Sequence, residues 1–303
     1  MACDTVTHVQ ATVSISTPVR VLEIGGSHVT AGSVEVAGHR ILDRQRHPLD
    51  PAQDAHTIVG VLADAAKRLL PAPGDRWAVA MPGPFDYAAG VSLHEGVGKF
   101  DQLRGVDLRA ALSAAIPAEP TAFTFVNDAD AFLLGEWVDG AATGTDRSVA
   151  ITLGTGIGSS WLADGVVVST GPDVPQDGEI HFCDVDGVNI EDLVSDRALI
   201  RGYLARTGTT VDGMRGLATL ARDGDKDARE VVDAAFGILG RLLTSWLDRF
   251  GAEVVVVGGS MTGAWDLIEP ALALSVPARP VRDTERSALL GAAYAGAVQH
   301  DAA

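Results

Sequence analysis

Four short stretches carry residue types whose spacing can do chemistry: Glu23-Ile24-Gly25-Gly26-Ser27, Leu153-Gly154-Thr155-Gly156-Ile157-Gly158, Val257-Gly258-Gly259-Ser260 and Asn127-Asp128-Ala129-Asp130. Each of the three glycine runs follows an apolar segment of strand character. A strand ending in a glycine turn presents successive backbone N–H groups with no side chains in the way. Such a concavity holds anionic oxygens, phosphate above all. A plain hairpin needs the same glycines, so each turn alone stays open between the two readings. Three in one chain, two heading hairpin patterns and one following a long helix, favour the phosphate reading. The Gly154–Gly158 run leads into another strand rather than opening a helix, so it is no dinucleotide fingerprint, and the sequence contains no G-x-x-x-x-G-K-[ST] loop.

Phosphoryl transfer asks a protein for positioning, charge neutralisation and a carboxylate that takes the proton of the attacking hydroxyl. Asp128 stands where the strand pattern Phe-Thr-Phe-Val-Asn gives way to a helix, and a helix N-terminus stabilises an anion. The alternative is that Asn127 or Asp128 serves only as the helix cap. Glu179 and Glu191 lie in the Gly/Asp/Val-rich segment Asp177–Leu193. Carboxylates that accept from adjacent ring hydroxyls are a standard grip on a sugar, and solvated loop charge is the plainer reading of each.

These residues require elements to hold them. From Val19 the chain alternates in short β-rich runs broken at Gly25-Gly26, Gly32 and Gly38. Ile58, Val59, Leu62, Ala65, Ala66 and Leu69 then recur at helical spacing up to Pro71. Trp77–Met81 reads as a buried strand running into a Pro/Gly turn. The segment from Arg147 repeats the form of the opening: strand, glycine turn, strand, Asp-Gly turn, strand. That repetition predicts two related α/β lobes facing a cleft, with residues 1–18 a disordered lead-in, 19–126 plus 285–303 a small lobe and 127–284 a large one. A long amphipathic helix over 229–250 feeds the strand Glu253–Gly259, and an Ala/Leu helix closes the chain.

The 303 residues suffice for two domains, and 47% hydrophobic with 21% charged residues is the composition of a globular enzyme. A formal net charge of −17 argues against nucleic acid or an anionic membrane as partner. Cys3 and Cys183 form no C-x-x-C pair, so neither a disulfide framework nor a cysteine zinc site is expected. The N-terminal segment lacks a basic region followed by an apolar one, and no apolar run spans a bilayer, which predicts a cytoplasmic protein.

The ordered set Glu-Ile-Gly-Gly-Ser, Met-Pro-Gly-Pro, Asn-Asp-Ala-Asp-Ala, Leu-Gly-Thr-Gly-Ile-Gly, Gly-Glu-Ile, Ile-Glu-Asp-Leu-Val-Ser, Val-Val-Val-Gly-Gly-Ser and Leu-Leu-Gly-Ala-Ala resembles the ROK family from about Val19 to Val298. That family comprises repressors, uncharacterised reading frames and sugar kinases. The resemblance implies an actin-like, ribonuclease-H-like α/β fold of two lobes with ATP and Mg²⁺ in the cleft, and a homodimer. It assigns Gly25, Gly26 and Ser27 to one phosphate site, Gly154, Thr155 and Gly156 to a second, and Gly258 and Gly259 to the adenosine. Asp128 matches the catalytic base; Asn127, Glu179 and Glu191 match sugar ligands, and Gly83 the turn lining the sugar.

The departures point to specificity. Glu23 replaces the usual Asp at a position linked to magnesium and phosphate. Gly178–Phe182 departs from the family's G-E-x-G-H, placing Phe182 where a histidine touches the sugar and binds structural zinc, with His181 one position early. The zinc cysteine positions hold Phe182, Asp184 and Asn189, so no zinc is expected and the loop is expected to be held by packing of Ile180, Phe182 and Val185. In Leu93–Leu108, His94, Glu95 and Lys99 stand where relatives offer an Asn, and Glu95 suits a cationic amino sugar. The expected substrate is a hexose, an amino hexose such as kanosamine, or a cyclitol of antibiotic pathways. Plain glucose remains an alternative substrate, and polyphosphate an alternative donor. A repressor is disfavoured because about eighteen non-basic residues precede Val19. A non-catalytic sugar sensor is the remaining rival.

Overall fold

The structure is a computed structural model and describes residues 17–118, 120 and 122–301. The lead-in expected over 1–18 therefore lies, up to residue 16, outside the described residues. In chain order the first elements are β1 (Val19–Ile24), β2 (His28–Glu35), β3 (Arg40–Pro48), α1 (Ala55–Arg68), β4 (Arg76–Met81), β5 (Phe85–Asp86), β6 (Val91–Ser92), α2 (Leu108–Ala115), β7 (Ala122–Asn127) and α3 (Asp128–Asp139). Then come β8 (Arg147–Leu153), β9 (Ile157–Ala163), β10 (Val166–Val167), β11 (Asp184–Val185), β12 (Val188–Asn189), α4 (Glu191–Val194), α5 (Asp196–Thr207), α6 (Gly213–Arg222) and α7 (Lys226–Phe250). The chain ends with β13 (Val254–Gly258), α8 (Trp265–Leu272), β14 (Ala278–Pro280) and α9 (Thr284–Asp301). It divides into two compact units, Met1–Gly144 with Glu285–Ala303, and Thr145–Thr284. Residues 127–144, expected in the second lobe, fall in the first unit, because α3 crosses α9 there.

The first unit is built on a five-stranded sheet of order β3-β2-β1-β4-β7, a meander joined to parallel strands. The parallel strands are apolar on both faces, as sheets covered on both sides must be. Trp77, Val79 and Met81 pack with Ile58 and Leu62 of α1 and Leu112 of α2. The alternate residues Ala78 and Ala80 pack with Ala131 of α3 and Leu289, Ala292 and Ala293 of α9. Small residues let α3 and α9 meet backbone to backbone. A β-carbon on Gly135 would stand 1.8 Å from the Ser287 carbonyl oxygen, and one on Gly291 1.9 Å from that of Ala131. Glu136, buried at this crossing, accepts from the Ala141 amide at 2.7 Å and from the Ser287 hydroxyl.

The second unit repeats the plan with β10-β9-β8-β13-β14, again a meander followed by parallel strands. Val149, Ile151, Leu153, Val255 and Val257 form one core with Leu199, Leu217, Val232, Phe236 and Leu239 of the helices. The 25-residue α7 begins at an Asp225 cap, whose carboxylate accepts from the Ala228 amide at 2.9 Å, and stops at Gly251 in the left-handed region, φ +70°. Among the described residues no helix is long and apolar enough to cross a membrane.

Candidate active site

The β1–β2 turn is closed by the Gly25 amide donating to the His28 carbonyl at 2.9 Å. Two side chains crowd the open faces of its glycines. A β-carbon on Gly25 would stand 3.0 Å from the His28 ring, and one on Gly26 3.0 Å from Lys99 Nζ. Arg46 donates to His28 Nδ1 at 3.0 Å. A guanidinium can only donate, so neutral His28 carries its proton on Nε2, which lies 3.2 Å from a Glu285 oxygen. Burial foremost, then Arg46, holds the His28 pKa below its ordinary value. Glu23, at the end of β1, is pushed up to about 8, chiefly by burial and then by the carboxylates of Asp128 and Glu285. Its Oε2 is buried without a hydrogen-bond partner.

That orphaned oxygen suits a magnesium ion. Magnesium prefers one or two carboxylates, with phosphate oxygens and water completing its shell, rather than a cage of protein ligands. Among the described residues no cluster of three or more His, Cys, Asp or Glu could hold a metal by itself. Glu23 fits the single-carboxylate arrangement.

The parallel pairing of β4 with β7 sets Met81 beside Asn127, bringing the Pro82-Gly83 turn next to the start of α3. Asn127 is the helix cap: its Oδ1 accepts from the amides of Ala129 at 2.8 Å and Asp130 at 3.2 Å. Its Nδ2 donates to the Tyr87 hydroxyl at 3.0 Å, which in turn donates to the Met81 carbonyl at 3.1 Å. A β-carbon on Gly83 would stand 3.6 Å from that hydroxyl and 4.0 Å from Asn127 Nδ2. Gly83, Tyr87, Asn127 and Asp128 thus converge. With the cap assigned to Asn127, Asp128 occupies the first helical turn, its Oδ1 accepting from the Ala129 amide at 3.0 Å. Glu95 goes elsewhere: it pairs with Arg104 at 2.5 Å, both side chains 62% exposed. His94 is buried against Phe100, its Nδ1 2.9 Å from the Ser92 hydroxyl.

In the second unit the Gly154–Gly158 turn is braced by the segment Ile190–Asp196. Glu191 Oε1 accepts from the Ile157 amide at 2.8 Å, and the Asp196 amide donates to the Gly154 carbonyl at 3.2 Å. Gly156 leaves room for that carboxylate, since a β-carbon there would stand 2.5 Å from Oε1. Gly259, at φ +93°, passes so close to β8 that a β-carbon would lie 2.2 Å from the Leu153 carbonyl oxygen. Ser260 Oγ stands 3.4 Å from where one on Gly154 would sit. The second and third glycine turns therefore share one surface.

Glu179 is fixed by its neighbours. The Gly178 carbonyl accepts from Ser159 Oγ at 2.8 Å and Trp161 Nε1 at 2.9 Å, and the Ile180 amide donates to Ser159 Oγ at 2.8 Å. His181 Nδ1 lies 3.3 Å from Glu179 Oε2, and that hydrogen bond, working against burial, raises the His181 pKa. The expected packing of the loop needs correction. Ile180 is fully buried and Val185 lies against the core, but Phe182 is 49% exposed. Asn189 does the holding: its Nδ2 donates to the His181 carbonyl at 2.8 Å and its Oδ1 accepts from the Glu191 amide at 3.0 Å. The β11–β12 hairpin carries this bridge.

Tyr87 is the residue the structure adds to the set, and Asn189 gains a bridging role. Nothing in the sequence signalled Tyr87.

The sequence profile of the ROK family matches residues 19–296. The chain is 32% identical over 165 residues to a glucokinase of Thermotoga maritima, a match covering 47% of this chain and 51% of that protein. The match thus spans about half of that relative's length. It is 26% identical over 238 residues to N-acetylgalactosamine kinase AgaK of a Shewanella species, 72% of this chain and 74% of that one. The crystal structure of a ROK hexokinase from Thermus thermophilus superposes with a TM-score of 0.77 at 26% identity, over 95% of this chain and 100% of that one. The α/β fold is the actin-like, ribonuclease-H-like fold of these kinases.

Proposed function

The chain belongs to the ROK family, and from that premise we propose that it transfers the γ-phosphoryl group of ATP to a hydroxyl, the 6-hydroxyl or its equivalent, of a hexose, an amino hexose or a sugar-like cyclitol. The observation that carries this reading is Asp128 in the first turn of α3, beside the cap Asn127 and the Tyr87 hydroxyl, with a buried acid, Glu23, near enough to feel its charge.

Asp128 accepts the proton as the acceptor oxygen bonds to phosphorus and the bond to ADP breaks. Asn127 and Tyr87 orient the acceptor, with Gly83 leaving room for it. Glu179, steadied by His181, and Glu191 supply further sugar acceptors, although one oxygen of Glu191 is already committed to the second glycine turn. The amides of Gly25, Gly26 and Ser27 and of Gly154, Thr155 and Gly156 receive phosphate oxygens, and Gly258 and Gly259 admit the adenosine. Glu23 would hold magnesium, which when bound would neutralise charge on the phosphates.

Two relatives frame the substrate, a glucokinase and an N-acetylgalactosamine kinase. The altered Gly178–Phe182 segment favours a sugar other than plain glucose. The test is ADP release from Mg·ATP with glucose, mannose, amino hexoses including kanosamine, and cyclitols, with the product position read by NMR. Turnover of at least one is expected. Sugar binding without ADP from any of them would leave a sensor instead.

A further inference from the structure

We propose that Lys99 is a phosphate ligand of the first glycine turn, contacting the transferring end of the nucleotide. This rests on the kinase reading above and adds a residue to it. The side chain lies along the open face of Gly26: Nζ is 3.0 Å, Cε 3.4 Å and Cδ 3.6 Å from the place a β-carbon on that glycine would take. The absent side chain of Gly26 thus makes room for an ammonium group at the mouth of a backbone concavity. Backbone amide N–H groups and lysine both donate to phosphate, and a lysine acts there as a compact, mobile point charge.

The backbone beneath Lys99 is anchored on both sides. Phe100 next to it is fully buried, its ring edge-on to that of His94 at 5.5 Å, and its amide donates to the Pro51 carbonyl at 2.9 Å. On the other side the Val97 and Gly98 amides donate to the Asp101 carboxylate at 3.1 and 3.2 Å. The side chain itself is exposed, so a ligand can reach it. Its charge also answers a local need. The carboxylates of Asp128 and Glu285 bear on Glu23 beside this turn, and Arg46 pairs with Glu285 at 3.0 Å. A polyphosphate arriving there needs cations to offset them. In the transfer itself, the terminal P–O bond to ADP breaks while the bond to the sugar oxygen forms and the proton passes to Asp128; Lys99 offsets the charge on the moving group.

The test is calorimetric binding of AMP, ADP and the non-hydrolysable ATP analogue AMPPNP, each with Mg²⁺, to wild type, Lys99→Met and Lys99→Arg. Wild type is expected to bind AMPPNP more tightly than AMP. Lys99→Met is expected to weaken AMPPNP by about 10–100-fold, the size of one charge-assisted contact, and AMP little, with an unchanged melting temperature. Lys99→Arg is expected to recover part of the loss. Equal AMPPNP binding by wild type and Lys99→Met would overturn the assignment while leaving the kinase reading intact. An equal loss for all three nucleotides would also overturn it, since that marks a structural role. A wild type that binds none of them removes the kinase reading and this inference together.

Discussion

Gly25-Gly26-Ser27 and Gly154-Thr155-Gly156 close the same hairpin in two sheets of one strand order, β3-β2-β1-β4-β7 and β10-β9-β8-β13-β14. Around the first stand Glu23 with an orphaned oxygen, His28 and Lys99. Around the second the polar groups are answered locally, Glu191 by the Ile157 amide and the Gly154 carbonyl by the Asp196 amide. One backbone device has therefore been given two environments. The first is charged and incompletely satisfied, the second is hydrogen-bonded within itself.

Glycine substitutions break this comparison most sharply. Gly259→Ala sets a β-carbon 2.2 Å from a backbone oxygen at φ +93°, and neither can yield. A loss of about 3 kcal/mol or more is expected in denaturant melts. Gly156→Ala must displace the Glu191 carboxylate from the Ile157 amide, which is expected to cost about 1–3 kcal/mol and to weaken nucleotide binding. Gly26→Ala meets only the flexible end of Lys99, so its stability is expected to stay within about 0.5–1 kcal/mol of wild type. Equal costs at Gly26 and Gly156 would erase the contrast.

Much of this frame was legible in the residues. The glycine turns, the strand-to-helix step at Asn127-Asp128 and the repeated hairpin pattern each follow from local rules of turn, cap and period. The lobe boundary was not, because the α3–α9 crossing depends on Gly135 and Gly291, which are far apart in the chain and look ordinary in it. Nor was the fate of the loop after Glu179. Phe182 suggests packing by its type, but its backbone, in a single helical turn after Ile180, leaves it exposed, and the bridging falls to Asn189. Tyr87 joins Asn127 only through the parallel pairing of β4 and β7, a contact across 40 residues. Local patterns do not carry such pairings.

The loop offers two smaller tests in the second unit. Asn189→Ala removes the link between the His181 carbonyl and the Glu191 amide, and is expected to cost about 1 kcal/mol and to speed amide exchange at Glu191. His181 gives the smallest effect. Because Glu179 raises its pKa, the pair adds stability that is fully present below the ordinary histidine value and is lost as pH rises through the raised one. An NMR titration is expected to show the His181 pKa fall in Glu179→Gln, and melts at pH 5.5 and 8.5, values chosen to bracket the ordinary ~6.5, to differ less in the variant than in wild type.

The central claim is that Asp128 accepts the proton in phosphoryl transfer. Its most direct measurement is kcat for ADP release with the best sugar of the panel, in wild type and Asp128→Asn, alongside nucleotide affinity and melting temperature. The account predicts a fall of ~10²–10⁴-fold in kcat with affinity and melting temperature nearly unchanged. An Asp128→Asn variant that turns over at the wild-type rate would contradict it.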